Sequence, residues 1–302
     1  MYDLIVIGNP LLRPSNPQSG LAGSLQPTGP PVNSSVAAAK LGVDSLALIG
    51  KTDARFREDT VAGLDVMGLP EYYFPEPNGS CSVEVTLEVD GEFLPHIVCL
   101  DMIRIKDIPR EFLTASRIIL NPSFQEVNVE LATWLKSSSH GSIIWDPGIQ
   151  RVNGNGEAKM GLSSEQMREM LELVEIAKLN QQESQFLTAQ DDPRVAAELL
   201  VEWGARIGII TLGTQGCVAY DGNEFISIPA YHVEPITTYG AGDVFVAGLA
   251  TRMIRERDLL ESTAYGSAVA SLFVQQGDLG CLSNSKELDR RTDALVEQAR
   301  VQ

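Results

Sequence analysis

Six short apolar runs, each closed by a polar residue or a glycine, constrain this chain more than any other feature. Leu4 to Ile7 ends at Gly8-Asn9, Leu46 to Ile49 at Gly50, and Arg117 to Leu120 at Asn121. Ser142 to Trp145 ends at Asp146-Pro147-Gly148, Ile176 to Leu179 at Asn180, and Ile207 to Thr211 at Leu212-Gly213. Continuous apolar runs of this length are the mark of strands buried on both faces. Helical patterns lie between them, and strand-helix alternation predicts an α/β fold with a mostly parallel sheet. Ligands of open α/β sheets bind beyond the carboxyl ends of the strands, so the closing residues lie where a site belongs.

The intervening segments have their own signals. An alanine-rich helix starts at Asn33 and runs through Leu41 to Gly42, with Asn33 as an ordinary N-cap. Val129 to Lys136 is a short helix, and Ser163 with Gln166 forms a capping box ahead of the apolar face Met167, Met170, Leu171 and Val174. Asp192-Pro193 opens a helix to about Trp203, another begins near Gly242, and a third covers about Leu260 to Gln275. Phe225 to Tyr231 reads as a further strand after Asp221-Gly222. The Pro/Gly/Ser-rich stretch from Leu11 to Pro31 fits a flexible loop or a weak edge strand. From Tyr72 to Ile105 the pattern changes: Val83, Val85, Leu87 and Val89 alternate with polar residues, Asp90-Gly91 follows, then Phe93 to Val98. This predicts a half-exposed hairpin, an inserted lid or small second domain.

Composition excludes several classes. The 302 residues are 44% hydrophobic, with a mean hydropathy of -0.01, which fits a globular protein with an ample core. A net charge of -17 argues against nucleic acid or an anionic membrane as partner, so a phosphorylated ligand would need locally placed donors. Cys81, Cys99, Cys217 and Cys281 lack metal-binding spacing and read as thiols of a reducing compartment. With no basic leader or membrane-length run, the expected location is the cytoplasm.

Three motifs suggest chemistry. Gly240-Ala241-Gly242-Asp243 is a glycine turn entering a helix whose Phe245, Leu249 and Met253 repeat at four-residue spacing. Free N–H groups and the positive end of the helix dipole suit a phosphate there, and Asp243 could act as a base, help hold a metal, or merely cap the helix. Glu183 follows Asn180 by three residues, suitable for Mg²⁺ directly or through water, or for an exposed loop. Thr211, Gly213 and Gly216 form a strand-to-glycine turn that could hold part of a nucleotide or simply close a hairpin.

In this order, the motifs resemble the ribokinase-like (PfkB) carbohydrate and nucleoside kinase family over nearly the whole chain. Gly240 to Asp243 resembles its C-terminal signature, Asn180 to Glu183 its Asn-x-x-Glu motif, and Thr211-x-Gly213 with Gly216 its nucleotide turn. Gly29 and Asn33, followed by Ala37 to Gly42, resemble the N-terminal signature, and Gly8 to Leu12 the opening strand of the nucleoside-kinase branch. The resemblance implies a single three-layer α/β domain over residues 1–302, with a central mostly parallel sheet and a small β lid. The lid would take in about residues 72–105, with part of 11–28 available to it. It implies transfer of the γ-phosphoryl group of ATP, with Mg²⁺, to a hydroxyl of a small sugar, nucleoside or related polyol. Asp243 would be the general base, and the N–H groups of Gly240, Ala241 and Gly242 would stabilise the moving phosphoryl group. Asn180 and Glu183 would organise the metal, Asn180, Thr211, Gly213 and Gly216 would meet the nucleotide, and Gly29, Asn33 and Arg13 would meet the acceptor.

The chain departs from the family pattern at identifiable places. Thr28-Gly29 stands for two glycines, and Pro30-Pro31 stiffens the segment after them. Arg13 replaces an Asp that grips sugar hydroxyls, exchanging an acceptor for a fixed cation. Thr237 replaces an Asp associated with monovalent-cation activation, so no K⁺ site is expected. Asp146-Pro147-Gly148 keeps one Asp of a further element without its Asn, and Arg151 is displaced. These departures motivate the alternative of a catalytically altered, ligand-binding or regulatory relative. A monomer and a homodimer both fit the sequence.

Overall fold

The protein is described from a computed structural model, over residues 1–16, 21, 23–148, 150–151, 158–159, 162–255 and 258–302. All six apolar runs form strands of one ten-stranded sheet. Seven strands are parallel, in the order Ile207–Thr211, Ile176–Asn180, Ser142–Trp145, Arg117–Leu120, Leu4–Ile7, Leu46–Ile49 and Tyr72–Tyr73. Beyond Ile207–Thr211, Cys217–Tyr220, Phe225–Ile228 and Arg300–Val301 continue the sheet antiparallel.

Alternate side chains of the strands feed two cores. Leu4 and Val6 pack toward one face with Val36, Phe245, Leu249, Val269 and Leu288, which come from the helices Pro30–Lys40, Ala241–Arg255, Leu259–Gln276 and Ser285–Gln298. Ile5 and Ile7 pack toward the other with Leu131, Met167, Leu187 and Leu200, from Val129–Ser138, Ser164–Leu171, Gln181–Thr188 and Pro193–Glu202. The three layers expected from the sequence follow from this division, since each buried strand has an apolar residue for both faces.

A separate antiparallel sheet forms the lid, in the order Leu25–Thr28, Leu11–Pro14, Glu92–Cys99 and Ser82–Val89. The Leu11–Pro31 stretch thus supplies two lid strands, although residues 17–20 and 22 lie outside the described residues. Tyr72–Tyr73, assigned from sequence to the lid region, instead extends the large sheet beside Leu46–Ile49. Ile103 and Ile108 likewise sink into the large-sheet core. Phe225–Ile228 stops short of Tyr231 because Pro229 has no N–H to continue the ladder. Arg151, displaced from its expected place in the sequence, belongs to a short strand whose side chains lie outside the description.

Asn9 ties lid to sheet. Its Nδ2 donates to Cys99 O at 3.0 Å and Asp101 O at 2.9 Å, and its Oδ1 accepts from Lys51 N at 2.7 Å. The polar end of the first strand is therefore a buried joint. Lys51, fully buried, bridges Asp101 and Asp107 at 2.9 and 2.8 Å. Cys81 and Cys99, distant in sequence, meet at the open end of the lid hairpin with sulfurs 2.7 Å apart.

Candidate active site

The carboxyl ends of the central strands, the lid and the N-terminus of Ala241–Arg255 converge on Gly240–Asp243. Gly240 has φ 88°, a left-handed conformation that glycine adopts without Cβ strain. The chain turns there, and the helix starts with Val244 N donating to Gly240 O at 3.1 Å. A Cβ on Gly242 would lie 2.7 Å from Lys178 Nζ, so only glycine lets this ammonium come so close to the turn.

Asp243 is half-buried at the first turn of the helix. Its Oδ2 accepts from Asn33 Nδ2 at 2.8 Å. Burial, followed by the nearby Asp146 charge, raises its pKa from 3.8 to about 7; the Asn33 hydrogen bond and the Lys178 charge oppose the rise. The helix Pro30–Lys40 places Asn33 differently from the sequence expectation. Gly29 is the N-cap, with Pro30 and Pro31 in the first helical positions, where a missing N–H costs nothing. Asn33 therefore lies within the first turn, and its amide is available to Asp243. Ser34 Oγ, next to it, lies 2.7 Å from Asn121 Oδ1 and 3.1 Å from Asp243 O.

Lys178 is the site residue that sequence reading missed. It is 3% exposed, in a strand of otherwise apolar residues, and its Nζ is 2.9 Å from Asp146 Oδ2. Burial alone would lower its pKa, but the charges of Asp146 and Glu183 outweigh it, and the ammonium is held charged. The available signal was a lone Lys inside a doubly buried apolar run, just before Asn180.

Asn180 and Glu183 form a reciprocal cap on Gln181–Thr188. Asn180 Oδ1 accepts from Glu183 N at 2.9 Å, and Glu183 Oε2 accepts from Asn180 N at 2.7 Å. Glu183 is 2% exposed, where sequence had left open an exposed loop. The cap engages the Asn180 side-chain oxygen and leaves its Nδ2 as the group offered to the adjoining cleft.

Two cavities flank the turn. One of about 420 Å³ is lined by Lys178, Asn180, Thr211, Gly213, Gly216 and Gly242, with an apolar wall from Val233, Phe245 and Val274. Gly216, at φ 92°, is required there because a Cβ would meet Ile228 O at 2.0 Å. The other, about 540 Å³, lies under the lid and is lined by Arg13, Gln26, Thr28, Asn33, Asp90 and Tyr239. Arg13 and Gln26 are register partners across the lid strands; with the Gln26 amide turned so that its oxygen faces Arg13, that oxygen accepts from Arg13 Nε at 2.8 Å and Nη2 at 3.1 Å. Tyr239 has a buried hydroxyl with no hydrogen-bond partner among the described residues. Gly29 turns the chain behind this cavity, at φ 93°, where a Cβ would lie 2.7 Å from Leu11 Cγ. Of the sequence-predicted residues, Asn180, Thr211, Gly213, Gly216, Ala241 and Gly242 line the first cavity and Arg13 and Asn33 the second, while Gly29, Glu183, Gly240 and Asp243 line neither.

Among the described residues, no cluster of three or more His, Cys, Asp or Glu side chains forms a metal cage. The carboxylates that act on Lys178, those of Asp146, Glu183 and Asp243, are hard oxygen donors. They fit Mg²⁺, which takes few protein ligands, retains water and is completed by substrate phosphates.

Residues 105–285 match the pfkB family carbohydrate kinase profile. The chain is 26% identical over 279 residues to a cytidine kinase of Thermococcus kodakarensis, covering 88% of this chain and 94% of that protein. It is 28% identical over 261 residues to a fructokinase of Solanum tuberosum, covering 79% and 75%. A Thermotoga maritima ribokinase superposes with a TM-score of 0.73 at 17% identity, covering 97% of this chain and all of that one. Among the described residues, no helix is long and apolar enough to cross a membrane.

Proposed function

Because the chain belongs to the pfkB family of carbohydrate kinases, phosphotransferases with an alcohol acceptor, we propose that it transfers the γ-phosphoryl group of ATP to a hydroxyl of a small sugar, nucleoside or related polyol. The observation that carries this reading is Asp243 at a helix N-terminus, next to Gly242 of the first cavity and hydrogen-bonded to Asn33 of the second, with its pKa raised to about 7. A carboxylate with that pKa is matched to taking a proton at neutral pH. The apolar wall by Val233, Phe245 and Val274 suits the base of a nucleoside triphosphate, and the lid cavity suits the acceptor.

Asn33 orients the Asp243 carboxylate. Asp243 takes the acceptor hydroxyl proton as that oxygen forms its bond to the γ-phosphorus, and the bond from phosphorus to the β-phosphate oxygen breaks to release ADP. The N–H groups of Gly240, Ala241 and Gly242 stabilise the charge on the moving group, and Lys178 adds a fixed ammonium beneath Gly242. Thr211, Gly213, Gly216 and Asn180 Nδ2 hold the donor. Glu183, with Asn180 capping it, organises Mg²⁺, which supplies charge neutralisation to the donor phosphates when bound. Arg13, held by Gln26, faces the acceptor with Asn33, while Gly29 shapes the backbone behind them.

The test is an ADP-release assay with Mg²⁺ and ATP against a panel of sugars, nucleosides and polyols, including cytidine and D-fructose. At least one acceptor is expected to give stoichiometric ADP and a phosphorylated product. ATP binding without transfer to any of them would favour the ligand-binding alternative.

A further inference from the structure

Asp90 closes the long lid hairpin. Val89 pairs with Glu92, so Asp90-Gly91 is a two-residue turn, and both residues have positive φ, 50° and 86°. This is the geometry of a type I′ turn, in which Asp tolerates the left-handed conformation better than most residues. Here the turn also contacts the catalytic loop. Asp90 Oδ1 accepts from Thr238 N at 2.7 Å, Thr238 Oγ1 at 3.1 Å and Tyr239 N at 3.2 Å, while Thr237 Oγ1 donates to Oδ2. A carboxylate absent from position 237 itself thus arrives from the lid.

The contact lies one hydrogen bond from the phosphoryl-binding turn. Ala241 N donates to Thr238 O at 3.2 Å, so the Thr238 peptide is held by Asp90 on one side and by the start of the catalytic helix on the other. Gly240, one residue further on after Tyr239, has no side chain to restrict its backbone. Asp90 and Tyr239 also line the acceptor cavity.

We infer that Asp90 is a positioning residue for phosphoryl transfer: closure of the lid delivers its carboxylate to Thr237–Tyr239 and sets the N–H groups of Gly240–Gly242. The inference rests on the phosphoryl-transfer reading of that turn. With the lid raised, the Thr238 and Tyr239 N–H groups lose this acceptor and the glycine turn loses its outer support. Lid closure over the acceptor is thereby linked to assembly of the turn, and water alone is a poor acceptor until it occurs.

The test compares Asp90→Ala, Asp90→Asn and Asp90→Glu in the full chain. Hydrogen exchange, measured without turnover, is expected to accelerate about tenfold at the Thr238 and Tyr239 amides of Asp90→Ala, with the interior of the catalytic helix unchanged. With the acceptor identified in the panel, kcat is expected to fall roughly 100-fold while the Kd for ATP stays within about twofold, the mark of a misplaced rather than missing group. Asp90→Asn retains one acceptor oxygen and Asp90→Glu the charge, so both should recover part of kcat. An Asp90→Ala kcat within about threefold of wild type would overturn the role, as would a kcat loss matched by equal loss of ATP affinity. Intact transfer with unchanged exchange refutes the latch alone. Accelerated exchange in a protein whose wild type phosphorylates no acceptor refutes the phosphoryl-transfer reading, and the positioning role with it.

Discussion

Replacing Asp243 with Asn separates the chemistry of this group from its cost to the fold. Asn keeps the shape and can still accept from Asn33 Nδ2, which now reaches Asp243 Oδ2 at 2.8 Å. It cannot ionise or take a proton, and kcat should fall by about 10²–10⁴. Stability should move the other way. The rise of the Asp243 pKa from 3.8 to about 7 corresponds to on the order of 4 kcal/mol, at ~1.4 kcal/mol per tenfold change in acidity. The unfolded chain releases this proton above 3.8, while the folded chain keeps it until about 7. The stabilising preference for the protonated form is therefore complete below the lower value and lost as pH rises through the upper one. Asp243 is only half-buried, so screening reduces the observable effect. Between pH 5 and pH 8.5 the variant should gain about 2 kcal/mol on wild type, or roughly 3 °C in Tm for a chain of this size. Differential scanning calorimetry at the two pH values reads the gain. The wild-type kcat/KM profile should rise about tenfold per pH unit below about 7 and level off above it. A flat profile from pH 6 to 8.5, or full turnover by Asp243→Asn, would refute the reasoning.

Lys178→Met should cost about 3–5 kcal/mol in denaturant unfolding, because it leaves Asp146 buried and unpaired; adding Asp146→Leu should recover more than half of that. Gly240→Ala should cost roughly 1–2 kcal/mol from its positive φ, and a Cβ 2.9 Å from Asn33 Nδ2 should also displace the group that orients Asp243. Steady-state kinetics of that variant should show kcat lowered at least about 100-fold. Glu183→Gln preserves the cap, so its Tm should stay within about 2 °C of wild type, while the Mg²⁺ concentration for half-maximal activity rises about tenfold.

The large sheet was legible because strands buried on both faces cannot alternate with polar residues, and the six runs do not. The lid hairpin was legible for the opposite reason: one face is half-exposed, and its alternation is plain between Val83 and Val89. The helix Arg57–Met67 was not recognised, since only Thr60 and Leu64 are buried and two residues make no periodic pattern. Ser285–Gln298 did carry a signal, with Leu288, Arg291, Thr292 and Leu295 buried at helical spacing, but an inward Arg disguised the face. Asn33 looked like a cap because Pro30-Pro31 reads as stiffening the segment, not as the helix start that Pro marks at Asp192-Pro193. The partners of Asp90 lie well over a hundred residues away, so its sequence shows a turn and nothing of the latch. Lys178 becomes interpretable only when Gly242 is found above it.

The misses around the glycine turn share a physical cause. A turn that offers N–H groups to a phosphoryl group has to be nearly free of side chains, and glycine makes such a turn entropically costly to fix, by roughly 0.5–1 kcal/mol per residue relative to alanine. Gly240-Ala241-Gly242 therefore has little with which to hold itself. Its support comes from elsewhere: Asn33 and Ser34 hold Asp243, Lys178 underlies Gly242, and Asp90 holds Thr237–Tyr239. Val274 O also anchors the approach by accepting from Ile236 N at 2.8 Å. The residues that present the motif are contiguous and visible in the sequence, whereas those that hold it rigid come from the lid, a neighbouring helix, a central strand and the following helix. The better the turn is suited to bind charge through bare backbone, the more its geometry depends on residues that no local pattern reveals.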